Sequence, residues 1–413
     1  MTREEARRLR KAACASPIQE LPLPARVTIP LCVRMGARRA RVVVHVLEPV
    51  VGIGDRVKAG EVLATDGENL ILASISGKVT ALQNAVHPLI GEAPAAIIES
   101  DGTDSWVQLP TREGKVSGLE LRALARQAGV LPSFSPPLRE SSGLPLEVDA
   151  VDRDPLLATR SRLVVERGEQ SLEMVASFQQ CLKRNQGTLF VGRGLERKLL
   201  RHLRRKGKAI GVKVRSVPAD RSTSNSSGRS LWRRFRGPEE NARLTIEDAH
   251  ALWEVIHEGH ALVHEYVTVT GSAVRRPVNL KVRLGTSLRE VLDACGGAKE
   301  TSCRIILGDA LTGVAQYSPE VPIVRGVQGM IVLGGKEAYP PRPGPCIRCT
   351  RCAEVCPEGL KPRRLATLVE QGSRAKAREL GILDCTECGL CAYVCPAKRD
   401  LVHLLMVGKT GKN

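Results

Sequence analysis

Aromatic side chains are scarce in this chain of 413 residues: four Phe, four Tyr and three Trp, 3% in all. Gly, at 38, and Pro, at 25, are plentiful. That balance points to small β-rich modules joined by turns rather than one large core, and the length accommodates about two to four domains. No run of about eighteen apolar residues occurs, so no segment reads as a membrane-spanning helix. The opening Met1-Thr2-Arg3-Glu4-Glu5-Ala6-Arg7-Arg8-Leu9 mixes charges and has no apolar stretch. It reads as a short amphipathic helix rather than a secretory signal.

Acidic residues are outnumbered, 44 Asp and Glu against 62 Lys and Arg, for a net charge of +18. The excess concentrates in Arg193 to Arg215 and again in Arg229 to Arg236. Nucleic acid is the reflex reading of such runs. The chain carries no helix-turn-helix, zinc-finger or RNP pattern and no basic strand interleaved with aromatics, so no nucleic-acid partner is expected. A solvated basic face is left, or a face that docks an acidic electron carrier or a larger redox subunit.

The most constrained chemistry lies near the C-terminus. Cys346-Ile347-Arg348-Cys349-Thr350-Arg351-Cys352-Ala353-Glu354-Val355-Cys356-Pro357 returns as Cys385-Thr386-Glu387-Cys388-Gly389-Leu390-Cys391-Ala392-Tyr393-Val394-Cys395-Pro396. Each run is C-x2-C-x2-C-x3-C-P, the pattern that holds a 4Fe–4S cube in two-cluster ferredoxins. Three thiolates of a run wrap one cube. The fourth is carried off by a helical turn, and Pro keeps it from closing on its own loop. Cys346, Cys349, Cys352 and Cys395 are thereby assigned to a first cluster, and Cys385, Cys388, Cys391 and Cys356 to a second. Structural zinc takes two C-x2-C knuckles and needs neither a third Cys nor a trailing Cys-Pro. Disulfides need an oxidising compartment that nothing else in the sequence supports. Cys14, Cys32, Cys181, Cys295 and Cys303 lack ligand spacing and read as packed or surface thiols in a reducing cytoplasm.

Taken in order, the modules differ in pattern. After an N-terminal extension (1–20), residues 21–112 alternate short strands with Gly turns, as in Glu48 to Ala64 and Ala73 to Val79. This stretch resembles the barrel-sandwich hybrid of biotinyl and lipoyl carriers, but Gly67-Glu68-Asn69-Leu70 stands where their modified lysine would be. A structural module is expected rather than a swinging arm. Residues 113–262 alternate helices (119–130, 172–184, 196–205, 245–259) with strands (145–151, 187–192, 212–217), which implies an α/β layer with parallel strands. Between them, 219–241 is polar and reads as a loop. Thr245, with Asp248 three residues on, is a helix N-cap. Residues 263–339 hold strands near 266–271, 278–286 and 304–307 and a helix from Ser287, capped with Glu290. They suggest a β-grasp domain of the SLBB type, and the cluster domain occupies 340–413. His250, His257, His260 and His264 read as surface histidines on a helix and its following loop.

This order of modules resembles the C subunit of the Rnf electron-transport complex. The most specific markers are Val267-Thr268-Val269-Thr270-Gly271, Leu284-Gly285-Thr286 and the two Cys runs. The fold that the resemblance implies is multidomain, α/β and α+β. It consists of a barrel-sandwich hybrid, a Rossmann-like domain for FMN and NADH, an SLBB domain and a two-cluster ferredoxin-like domain. The departures gather in the nucleotide site. For the family's G-x-G-G-A-G-F-P-T loop this chain has Ala128-Gly129-Val130-Leu131-Pro132-Ser133-Phe134-Ser135-Pro136, with few glycines and with prolines that remove N–H donors. The E-C-E-P-Y turn survives as Asp152-Arg153-Asp154-Pro155-Leu156, and an acidic position beyond it is Arg160. The K-Y-P-x-G-G segment falls near Ala219-Asp220-Arg221-Ser222 and the N-V-G-T-A segment near Glu247-Asp248-Ala249-His250-Ala251.

Two functions are therefore carried forward. The first is an electron-transfer subunit of a hetero-oligomeric cytoplasmic redox complex, with peripheral membrane association open and no bond chemistry of its own. The second is an NADH:acceptor oxidoreductase whose FMN feeds the clusters, with Asp152 and Asp154 at the nucleotide site.

Overall fold

The computed structural model describes residues 9, 12–36, 42–111, 116–130, 145–152, 154, 156–217, 242–301, 303–339 and 342–410. Of the helix expected over Met1 to Leu9, only Leu9 is described, and it is helical, as are residues 12–15 beyond it; 1–8, 10 and 11 lie outside the described residues.

After β1 (Ile18–Glu20), short strands follow one another: β2 (Arg26–Pro30), β3 (Cys32–Gly36), β4 (Val42–Val46), β5 (Glu48–Pro49), β6 (Arg56–Val57), β7 (Val62–Thr65), β8 (Leu70–Leu72), β9 (Gly77–His87) and β10 (Gly91–Ser100). One sheet is ordered β2-β10-β9-β6, while β3 pairs with β4, and β7 with β5 and β8. Their alternate residues meet in a core of Val27, Ile29, Leu63, Ile75, Val79 and Ile98. At the β7–β8 turn the Asp66 carboxylate accepts the Glu68 and Asn69 N–H groups at 2.9 and 2.6 Å. Asp66 thus closes the hairpin tip where a carrier would present lysine.

The next module holds α1 (Gly118–Gln127), β11 (Leu146–Ala150), α2 (Thr159–Cys181), β12 (Gly187–Gly192), α3 (Arg197–Ala209), β13 (Val212–Val217), β14 (Ala242–Thr245) and α4 (Ile246–Glu258). Its strands are parallel in the order β13-β12-β11-β14. The first strand of the module has later strands on both sides, so the order reverses beside β11. The carboxyl ends of β11 and β14 are thus the place where open α/β sheets take their ligands in a crevice. Caps set the helix ends. Ser117 and Glu120 form a capping box on α1, Thr245 accepts the Asp248 N–H at the start of α4, and left-handed Gly259 (φ 69°) ends it.

One local expectation needs correction, and one strand was not foreseen. The helix expected over 172–184 begins at Thr159, with a kink at Arg167 (φ −129°). Its first half carries Arg160, Arg162, Glu166 and Arg167, which obscured the apolar period that Leu163 and Val164 continue. The stretch before α4 contains β14, which is too short to announce itself and acquires its strand form by pairing with β11. On α3, Leu203 is buried while Arg197, Lys198, Arg201, Arg204, Arg205 and Lys208 are exposed. The second basic run, 229–236, lies outside the described residues.

The third module holds β15 (His264–Thr270), β16 (Val278–Arg283), α5 (Leu288–Ala294), β17 (Cys303–Leu307), β18 (Val314–Gln316) and β19 (Gly329–Gly334). The sheet runs β1-β16-β15-β19-β17-β18, so the N-terminal strand is its parallel edge. Ser287 caps α5 by accepting the Glu290 N–H. The C-terminal module packs α6 (Arg351–Glu354), α7 (Pro362–Glu370), α8 (Arg374–Glu379), α9 (Leu390–Tyr393) and α10 (Leu401–Thr410) around Leu365, Ala366, Val369, Ile382, Leu401 and Leu405. No described helix is long and apolar enough to cross a membrane.

Candidate functional site

The two Cys runs fold alike. Left-handed residues occupy equivalent places, Arg348 (φ 58°) and Thr350 (φ 62°) in the first loop, Glu387 (φ 56°) and Gly389 (φ 78°) in the second. Each loop then enters a one-turn helix, α6 or α9, and these two helices pack together. A left-handed residue other than Gly costs about 1–2 kcal/mol, so the surrounding packing must impose this shape. Such a shape is one that turns backbone N–H groups toward sulfurs. One of them, Glu387 N–H, points at the Cys385 Sγ at 3.4 Å.

Cys385, Cys388, Cys391 and Cys356 line one pocket, together with Pro357, Leu360, Val402 and Leu405. Burial pushes the Cys356 and Cys385 thiols up, and that of Cys391 up to about 12. Such thiols are protonated near neutral pH, so binding iron as thiolates must release protons. Among the described residues no three His, Cys, Asp or Glu side chains converge closely enough for a single metal ion. In the other set, Cys349 is exposed and Cys346, Cys352 and Cys395 are half-buried. Ile347 and Tyr393 beside them are 65% and 67% exposed. The first set therefore faces solvent.

The second set faces the rest of the protein. A Cβ on Gly389 would come within 2.5 Å of the Leu311 carbonyl oxygen. That oxygen belongs to the turn between β17 and β18, in which the Asp309 carboxylate accepts the Leu311 and Thr312 N–H groups.

At the crevice, Asp152 and Asp154 are both buried. Asp152 Oδ1 accepts the N–H groups of Arg160 and Ser161 at 3.0 and 3.3 Å, and its Oδ2 accepts the Ser161 hydroxyl. It occupies donors at the first turn of α2, the kind of place where an α/β fold binds phosphate. Asp154 accepts the Leu156 N–H at 2.6 Å and the Ala310 N–H at 2.8 Å. Between them the guanidinium of Arg160, only 1% exposed, donates to Glu247 at 2.8 Å and to Asp149 at 3.1 Å. Gln328 donates to the same Glu247 oxygen, and Arg325 joins Asp248 to the carbonyl oxygens of Gly129 and Val130. Beyond these, burial raises the Glu265 carboxyl to about 8, although it accepts the Gly326 N–H at 2.7 Å.

Sequence reasoning singled out Asp152, Asp154 and Arg160 but missed this network. Arg160 and Glu247 lie 87 positions apart, and no local pattern joins them. Leu131 to Pro136 and Ala219 to Ser222 lie outside the described residues. Two of the four histidines expected at the surface are inside. His250 is buried against the Ser171 hydroxyl, and burial pushes it down to about 3. His264 is buried 3.6 Å from Glu254. His257 is exposed and His260 half-buried.

Comparison with known proteins accounts for most of the chain. Residues 6–103 match the RnfC barrel-sandwich hybrid domain, 266–315 the SLBB domain and 342–398 a 4Fe-4S dicluster domain. The C subunit of the proton-translocating ferredoxin:NAD(+) oxidoreductase complex of Clostridium ljungdahlii is 30% identical, over 96% of this chain and 90% of that one. The C subunit of an ion-translocating oxidoreductase complex of Rhodobacter capsulatus is 30% identical over 89% and 74%. Its counterpart in the Na(+)-translocating ferredoxin:NAD(+) oxidoreductase complex of Acetobacterium woodii is 26% identical over 94% and 93%. Continuous similarity across both chains, together with cysteine loops folded for iron and sulfur, shows that this chain belongs to the RnfC family of oxidoreductase complex C subunits.

Proposed function

We propose that the chain is an electron-relay subunit of a larger redox complex, and that it makes and breaks no substrate bond. The observation that carries this reading is Arg160. Its buried guanidinium, tied to Asp149 and Glu247, fills the crevice where an α/β sheet would receive a nucleotide. Asp152 meanwhile takes up helix N–H groups that a phosphate would need.

In this reading Cys346, Cys349, Cys352 and Cys395 hold one cluster and Cys385, Cys388, Cys391 and Cys356 the other. Bound clusters supply one-electron transfer. The loops around Arg348 and Glu387 turn N–H groups toward the ligands, and Leu360, Val402 and Leu405 keep water from the second set. The exposed face around Ile347 and Tyr393 meets the partner, an acidic electron carrier or another redox subunit on the cytoplasmic side. Two of the complexes named for the relatives are ferredoxin:NAD(+) oxidoreductases, and that reaction is assigned here to the assembly rather than to this chain.

A second reading keeps FMN and NADH on this chain, with Asp152 and Asp154 at the nucleotide site, and the similarity along nearly the whole chain to C subunits of ferredoxin:NAD(+) oxidoreductase complexes favours it. Iron, acid-labile sulfide and released flavin should be measured on the anaerobically purified chain, followed by a spectrum before and after NADH. About eight irons without flavin or NADH bleaching supports the relay. Stoichiometric FMN with bleaching replaces it by the second reading.

A further inference from the structure

Helix α10 ends against the second cysteine loop. Its Lys409 is the only lysine buried among the described residues. The ammonium donates to the Cys385 carbonyl oxygen at 2.5 Å and to Glu387 Oε1 at 2.6 Å. Gly408 permits this approach, because a Cβ there would strike Val369 and Ile382 at 2.5 and 2.6 Å. In the first loop the position equivalent to Glu387 is Arg348, whose side chain is exposed.

A buried ammonium is costly to keep and needs a reason or a partner. Glu387 is only a partial partner in the field it makes. Its side chain is 34% exposed, whereas that of Lys409 is 2% exposed, so water screens the carboxylate more than the ammonium. Lys409 thus supplies a positive contribution at a pocket otherwise lined by the carboxylates of Glu358 and Glu387. Burial alone disfavours adding an electron to an anionic cluster, and net local charge is one of the quantities that set its potential. The two effects oppose each other.

Resting on the assignment of Cys385, Cys388, Cys391 and Cys356 as cluster ligands, we propose that Lys409 sets the reduction potential of the second site. It raises that potential against the penalty of burial, so that an electron entering at the exposed site is drawn inward. No bond forms or breaks in that step, and one electron moves from one cluster to the other.

The test is a potentiometric titration followed by electron paramagnetic resonance on the full chain, with iron content determined alongside. Lys409→Met should shift one of the two potentials negative and leave the other unchanged. Lys409→Arg should restore it, and Glu387→Gln, which leaves the ammonium unopposed, should shift the same potential positive. A lysine that merely anchors α10 would change iron content or stability without shifts of opposite sign. Unmoved potentials, or shifts of the same sign in Lys409→Met and Glu387→Gln, overturn the proposal. Should Lys409→Met lose iron, the sign of the Glu387→Gln shift decides. A wild-type chain well short of about eight irons would instead remove the ligand assignment itself.

Discussion

Asp154 Oδ2 accepts the backbone N–H of Ala310 at 2.8 Å, joining positions 156 apart in the chain. The next residue, Leu311, carries the carbonyl oxygen that lies against Gly389. A carboxylate just past the carboxyl end of the inner strand β11 thus holds the turn on which the second cysteine loop rests. Asp154→Ala leaves the Ala310 and Leu156 N–H groups without that acceptor, at a cost of about 1–3 kcal/mol. A urea melt should show the loss, and limited proteolysis should cut first near 309–312.

Gly389→Ala probes the same contact from the other side. The position is left-handed, and the new methyl group would press on the Leu311 oxygen. The second pocket should lose its iron, so iron per chain should fall to about half while the first set keeps its cluster signal. Unchanged iron would mean that the two loops separate at little cost.

Arg160→Ala strands two carboxylates, Asp149 and Glu247, beside a buried hole. Breaking a buried pair in this way costs about 3–5 kcal/mol, which a shifted denaturant midpoint would report. Opening the crevice by this one change should still leave the chain without NADH-driven bleaching, because Asp152 keeps its place on α2.

Stability should depend on pH through two buried groups. Glu265 titrates near 8 in the fold, against 4.5 for an ordinary Glu carboxyl, because burial disfavours its charge. The folded state therefore binds the extra proton between those values, and this contribution declines as pH rises from about 4.5 to 8. Glu265→Gln should flatten that decline in denaturant melts across the interval. His250 acts in the opposite sense. Burial lowers it from 6.5 to about 3, so the unfolded chain takes the proton first, and stability falls as pH drops from about 6.5 toward 3. His250→Gln should remove that part of the acid-side loss.

The cysteine runs were legible in sequence because ligand spacing is a local constraint: Cys346 to Cys352 must close on one object whatever the rest of the chain does. Caps were legible for the same reason. Thr245 and Ser287 each act on an N–H three residues away. Period-2 and period-3.6 patterns outlined the sheet-rich modules and most helices, but they failed where charge interrupted the period, as in the first half of α2.

Burial, pairing and close approach were left to the tertiary structure. A histidine on a helix looks the same in sequence whether its face meets solvent or the protein interior, and only packing put His250 inside. Asp152 and Asp154 stood out in sequence as acidic residues beside a turn. Only the fold occupied them with α2 and with the Ala310 turn, and brought Arg160 to Glu247 across 87 positions. Lys409 is a plain helix residue by pattern, and the packing of Gly408 against Val369 and Ile382 carried its charge to Cys385. The chain's own spacing marked the thiols proposed to hold iron. The fold decided which of them are shielded from water and which charges stand beside them, because both depend on contacts between residues far apart in sequence.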